Sequence, residues 1–191
     1  MAHIEQRHFV NHVKNILSHF FKGTKVLDVG SLNINGTLRD FFEDVSSYTG
    51  IDVGKGPGVD IVCRGELFDA PTCVYDVICS AECFEHNPEW LATFKNMIRM
   101  CKPGGLIFFT CATTGRAEHG TTRTDTYSNP LMTTQAGEEF NYYRNLTQED
   151  FTSEINFDEV FSKHEFIVND ASHDLYFWGI KSCKGIDVRI Y

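Results

Sequence analysis

The residues with the clearest chemical potential open in one stretch near the start, Lys25-Val26-Leu27-Asp28-Val29-Gly30-Ser31, which runs on to Gly36. A short apolar run with an acid near its end breaks at Gly30 into small polar residues, and Thr37-Leu38-Arg39-Asp40-Phe41-Phe42 then reads as the start of a helix. Strand, loop and helix in that order put free backbone N–H groups and the positive end of a helix at the carboxyl edge of a sheet, where a nucleotide-like or anionic group can be held. Asp52 stands 24 positions beyond Asp28, at the end of Tyr48-Thr49-Gly50-Ile51-Asp52-Val53. A carboxylate there can accept from the two hydroxyls of a ribose. It can also simply open the turn Gly54-Lys55-Gly56-Pro57-Gly58. Glu66, after a third apolar run, either accepts from an exocyclic amine or is a solvated loop acid.

Proton-transfer chemistry has two histidine candidates. His86 follows a fourth apolar run in Ser80-Ala81-Glu82-Cys83-Phe84-Glu85-His86, with Glu82 nearby, and His119 lies in the polar stretch Gly115-Arg116-Ala117-Glu118-His119-Gly120. Tyr142, Tyr143 and Arg144 can line an acceptor site by stacking or by pairing an anion, or can pack a loop against the body. No metal site is expected. Cys79, Cys83 and His86 match no zinc spacing, no C-x-x-C pair occurs, and the 7 cysteines read as reduced, mostly buried hydrophobes. His8 and His12, one helical turn apart, are a ligand pair or part of a solvated face.

These groups need a scaffold, and the apolar periodicity supplies one. Residues 4–21 place Val10, Val13, Ile16, Leu17, Phe20 and Phe21 at helical spacing, an amphipathic covering helix. Strands are expected over 25–29, 48–53, 59–63, 74–80 and 106–111, with a helix from Pro88 to Met100 and a break at Lys102-Pro103-Gly104-Gly105. Residues 112–146 form a long polar stretch leaving the fifth strand beside the expected site, which reads as a lid or substrate-binding insertion. Thr147 with Asp150 caps a helix reaching about Ile155. Two last strands, 165–168 and 175–180, are joined closely enough to make a hairpin, so one of them runs antiparallel to the rest. The expectation is one α/β domain over 1–191, Rossmann-like and doubly wound, around a mostly parallel seven-stranded sheet.

The net charge of −9 argues against a general nucleic-acid surface. With no signal core at the start and no apolar run long enough to span a bilayer, a soluble cytoplasmic protein is expected.

Taken together, VLDVGS, YTGIDV, YDVICSAECFEH, the helix after it and CKPGGLIFFT resemble, in that order, the class I S-adenosylmethionine-dependent methyltransferases over residues 24–112. The resemblance implies S-adenosyl-L-methionine as cofactor and methyl transfer to a small-molecule or carrier-borne acceptor. It implies that Asp28, Gly30 and Ser31 face the amino-acid end of the cofactor. Asp52 and Val53 would hold the ribose, Glu66 and Leu67 would flank the adenine, and Ser80, Ala81 and Glu82 would border the sulfonium. The loop from Gly30 to Gly36 is longer and poorer in glycine than the family's pattern. Two alternatives stay open: a catalytically silent cofactor-binding partner protein, and an NAD(P)-dependent oxidoreductase. The absence of G-x-G-x-x-G disfavours the second.

Overall fold

In the computed structural model, residues 4–124 and 140–183 are described. Their seven strands form one sheet in the order β3-β2-β1-β4-β5-β7-β6. The strands are β1 (Lys25–Val29), β2 (Ser47–Asp52), β3 (Ile61–Val62), β4 (Tyr75–Ala81), β5 (Cys101–Ala112), β6 (Phe161–Asn169) and β7 (Asp174–Lys181). Strands β1 to β5 pair in parallel, whereas β7 runs antiparallel to both β5 and β6. The expected C-terminal hairpin is therefore present, with β7 as the antiparallel strand.

Side chains alternate across each strand, and the sheet separates two cores on that basis. On one face Ile78, Ile107, Phe109, Leu175 and Phe177 pack under α2 (Trp90–Met100), α3 (Gln148–Thr152) and α4 (Phe157–Val160). On the other, Val77, Cys79, Leu106, Phe108, Tyr176 and Trp178 pack under α1 (Ile4–Ile16) and the 3₁₀ turn Ser18–Phe21. The first core is built largely of phenylalanine. Phe109 stacks on Phe177 at 5.2 Å and meets Phe94 edge-on at 5.5 Å, geometries that favour aromatic pairs beyond the area they bury. Thr147 and Asp150 form the expected capping box at the start of α3.

Several local expectations change. The segment after the β1 loop is no helix but the 3₁₀ turn Leu38–Phe41. The short link to β2 is drawn onto α1 instead: Lys14 donates to the Phe41 carbonyl, and Glu43 N–H to the Phe21 carbonyl. No helix dipole therefore faces the loop. The third strand shrinks to two exposed edge residues. The covering helix ends at Ile16 and continues only as the Ser18–Phe21 turn. The break at residues 102–105 lies within β5. The helix after Thr147 stops at Thr152, and α4 was not anticipated. Much of the expected lid, residues 125–139, lies outside the described residues. None of the described helices is long and apolar enough to cross a membrane.

Candidate functional site

The order of strands reverses between β1 and β4, and in open α/β sheets ligands settle in the crevice beyond the carboxyl ends at such a switch point. A cleft opens there, lined by Val29, Gly30, Asp52, Glu66, His86 and Phe140 among others. A smaller one lies across the β1 loop, against Asp28, Gly30, Ser31 and Ala81. The loop from Gly30 to Gly36 is thus the wall between two neighbouring spaces.

Close packing positions that wall. Gly30 and Ser31 donate their N–H groups to the Ile51 carbonyl at 2.9 and 3.0 Å. Gly30 has φ +78°, and a Cβ there would come within 2.5 Å of Cys83 Cβ. Only glycine meets both demands.

Asp28 and Asp52 end adjacent strands and are 2% and 4% exposed. Asp28 has one described side-chain partner, the Tyr48 hydroxyl, which donates to it at 2.7 Å. Burial pushes its pKa up to about 6. Asp52 accepts the N–H of Gly54 on one oxygen at 2.8 Å and that of Leu32 on the other at 3.1 Å. It fastens the turn and the loop together, and burial raises its pKa too. A carboxylate offers about four lone-pair sites, so each oxygen retains capacity for a hydroxyl donor from the cleft. The Ser31 hydroxyl is buried without a hydrogen-bond partner among the described residues.

The remaining expected residues divide. Val53 and Glu66 line the larger cleft. The Glu66 carboxylate is already engaged by Arg64 at 2.5 Å and by the Thr93 hydroxyl at 3.3 Å. Leu67, expected beside an adenine, lines neither cleft and is 65% exposed. The tight Gly65–Leu67 turn separates successive side chains by about 120°, so only one of the pair faces inward. Ser80 also lines neither cleft; its hydroxyl donates to the Val29 carbonyl at 2.7 Å and ties β4 to β1. Ala81 borders the smaller cleft. Glu82 has φ +53°, and accepts from the Thr110 hydroxyl on one oxygen at 3.1 Å. Its other oxygen is 4.0 Å from the Arg116 guanidinium.

Three rings meet around His86, which lines the larger cleft, whereas His119 and Tyr143 line neither cleft. His86 packs edge-on to His119 at 5.0 Å, and Tyr143 lies 5.5 and 5.0 Å from the two. Burial lowers the pKa of His86 to about 4 and depresses that of His119, so both imidazoles are uncharged at neutral pH. The Tyr142 backbone faces the His86 ring. Arg144 turns away, with its side chain on Asp150 at the start of α3. Gly120 lies against the His86 ring, where a Cβ would come within 2.7 Å.

Sequence reasoning missed Cys63, Cys83, Asn87 and Phe140 as lining residues, and Arg116 as the cation of this network. Arg116 is bonded to Asp174 at 3.0 Å and to the Ser172 carbonyl at 2.7 Å. No periodicity marks such residues, because each lies in a loop whose path is set by the body.

A family model described as a methyltransferase domain matches residues 1–144. A ubiquinone biosynthesis O-methyltransferase of Pseudomonas entomophila is 33% identical over 103 residues, covering 46% of this chain and 44% of that protein. The homologue from Pseudomonas syringae pv. syringae is 32% identical over 106 residues. The chain thus spans less than half the length of the curated relatives it matches. Among solved structures, the Burkholderia thailandensis 1,6-didemethyltoxoflavin-N1-methyltransferase, with that compound and S-adenosylhomocysteine bound, is 15% identical at a TM-score of 0.59. It covers 90% of this chain, which covers 77% of it. The Haemonchus contortus phosphoethanolamine N-methyltransferase 2 gives a TM-score of 0.58 at 17% identity, with 90% of this chain and 52% of that one covered. At these identities the structural likeness establishes the fold.

Proposed function

The chain belongs to the family of methyltransferase domains, and from that premise we propose that it transfers the methyl group of S-adenosyl-L-methionine to a small-molecule or carrier-borne acceptor. The observation that carries the reading is the pair of clefts at the β1–β4 switch point, with Asp52 in one and Asp28 and Ser31 in the other. Their chemistry fits the two ends of such a cofactor. Asp52 has lone pairs left for ribose hydroxyls, Val53 flanks it, and the edge of Glu66 closes the adenine side. Asp28, Gly30 and the unpartnered Ser31 hydroxyl face the space suited to an amino-acid tail, whose ammonium would favour the ionised form of Asp28.

When bound, the cofactor supplies an activated methyl on a sulfonium. The chain's residues must align an acceptor with it and exclude water. Ala81 lines the smaller cleft and His86 the larger, with His119 and Tyr143 packed on the His86 ring. His86 and His119, uncharged at neutral pH, are the groups able to take a proton from an acceptor. The lid reading of the stretch after β5 is supported by its described C-terminal end, where Arg144 N–H is anchored to the Glu85 carbonyl and Leu146 N–H to that of Ala112.

The test is calorimetric binding of S-adenosylmethionine, S-adenosylhomocysteine and NADH to the protein and to Asp52→Ala. Binding of the sulfur compounds, weakened at least tenfold by the substitution and absent for NADH, supports the reading. Binding without transfer to any acceptor points to a silent partner protein. Binding of NADH alone points to an oxidoreductase.

A further inference from the structure

The loop that returns to the sheet after β5 gathers donor atoms that cofactor binding leaves unused. A carboxylate oxygen of Glu85, a ring nitrogen of His86 and one of His119 all lie within 4.8 Å of one another. Glu85 is 0% exposed, and neither of its oxygens has a hydrogen-bond partner among the described residues. A carboxylate so buried has lost its water, and it stays ionised only where something positive faces it. Arg116 lies 4.0 Å from an oxygen of neighbouring Glu82 and is bonded to Asp174.

The two imidazoles are set as ligands. His119 Nδ1 lies 3.0 Å from the Ala117 carbonyl oxygen, and the Tyr142 backbone faces the His86 ring. A nitrogen facing a carbonyl carries the proton, so the opposite nitrogen of the His119 ring presents a lone pair. Histidines that ligate metals are fixed in this way by backbone carbonyls behind them. Gly120 lets the loop close on His86 tightly enough to complete the arrangement.

We propose that Glu85, His86 and His119 bind a divalent transition-metal ion such as Zn²⁺, with Glu82 as the nearest further oxygen donor. Imidazole nitrogen and carboxylate oxygen suit borderline ions of this kind. His86 also lines the larger cleft, so an open coordination position there faces the ligand space. A role for the ion in holding an acceptor hydroxyl and making it more acidic rests on the methyl-transfer reading above, and would take the place of proton uptake by the two histidines; the binding of the ion does not rest on it.

Calorimetric titration of chelator-stripped protein with Zn²⁺, and visible absorption with Co²⁺, test the site without any cofactor. The expected result is a single ion per chain, with affinity reduced at least tenfold in His86→Ala, His119→Ala and Glu85→Gln and unchanged in a His8→Ala, His12→Ala double variant. Glu85→Gln keeps the shape and removes a buried charge, so its fold is retained even if a histidine variant is not. Uptake equal in the wild type and Glu85→Gln, a thiolate-to-cobalt absorption band, or no uptake by a folded sample overturns the proposal. S-adenosylhomocysteine binding by the same stripped sample separates failure of the metal site from failure of the methyltransferase reading.

Discussion

Asp28→Asn should make the free protein more stable at neutral pH, and the size of the gain follows from one shift. Burial takes the Asp28 pKa from 3.8 to about 6, against the opposing pull of the Tyr48 hydroxyl and, more weakly, of the Arg39 charge. Between those values the folded state binds more protons than the unfolded state. The stability contributed by the protonated carboxyl is therefore complete below pH 4 and is lost as the pH rises through 6. A shift of roughly two units corresponds to about 3 kcal/mol at pH 7.5 and about 1 kcal/mol at pH 4.5. Asparagine stays neutral throughout and can still accept from Tyr48. Its advantage over the wild type should grow over that window, reaching roughly 6–12 °C in Tm at pH 7.5 for a chain of this size. Urea denaturation of both proteins across the range measures the difference directly, and taking a difference cancels other carboxylates that titrate alongside, such as Asp52. A gain that is flat with pH, or an Asp28→Asn protein less stable at pH 7.5, would refute the reasoning, because Asp28 would then be ionised and compensated in the fold. The same substitution should weaken S-adenosylmethionine binding at least tenfold, since the acid's cost to stability is the source of its attraction for an ammonium group.

Other perturbations test separate parts of the structure. Gly50→Ala puts a Cβ 2.2 Å from the Gly58 carbonyl oxygen and 2.6 Å from the Ser31 hydroxyl; thermal melts should show a loss of about 1–3 kcal/mol, and calorimetry should show weaker cofactor binding, because the cleft wall must shift. Lys181→Met strips the Ile98 and Cys101 carbonyls of a buried donor at 2.7 and 2.9 Å, and denaturant titration should register a loss of about 2–4 kcal/mol. Thr147→Ala removes the N-cap of α3, for an expected loss of about 1 kcal/mol by the same measurement. Stripping bound metal with a chelator should leave the far-ultraviolet circular dichroism unchanged, because Glu85, His86 and His119 lie at the rim of a sheet whose two cores are complete without them.

The strand plan was legible in the chain because it is a local property. Val26-Leu27, Val77-Ile78 and Leu106-Ile107-Phe108-Phe109 are continuous apolar runs that only a strand covered on both faces can bury, and the Asn169–Asp174 connection leaves room for little but a hairpin. The acids ending β1 and β2 are marked by position in the same way. Tertiary structure decided what those elements do to one another. The run after Gly36 is helical in pattern, but the pull of α1 on Phe41 and Glu43 leaves it a single 3₁₀ turn. Ser80 and Glu66 look like site residues by place, yet their polar atoms are taken up by Val29 and by Arg64 and Thr93. His119 stands 33 positions beyond His86 in the chain, and they meet because the loop after β5 turns back over the end of β4. Periodicity reports which way a side chain faces relative to its own backbone. Which distant donor it meets there depends on the path of the loops, which the packed body sets.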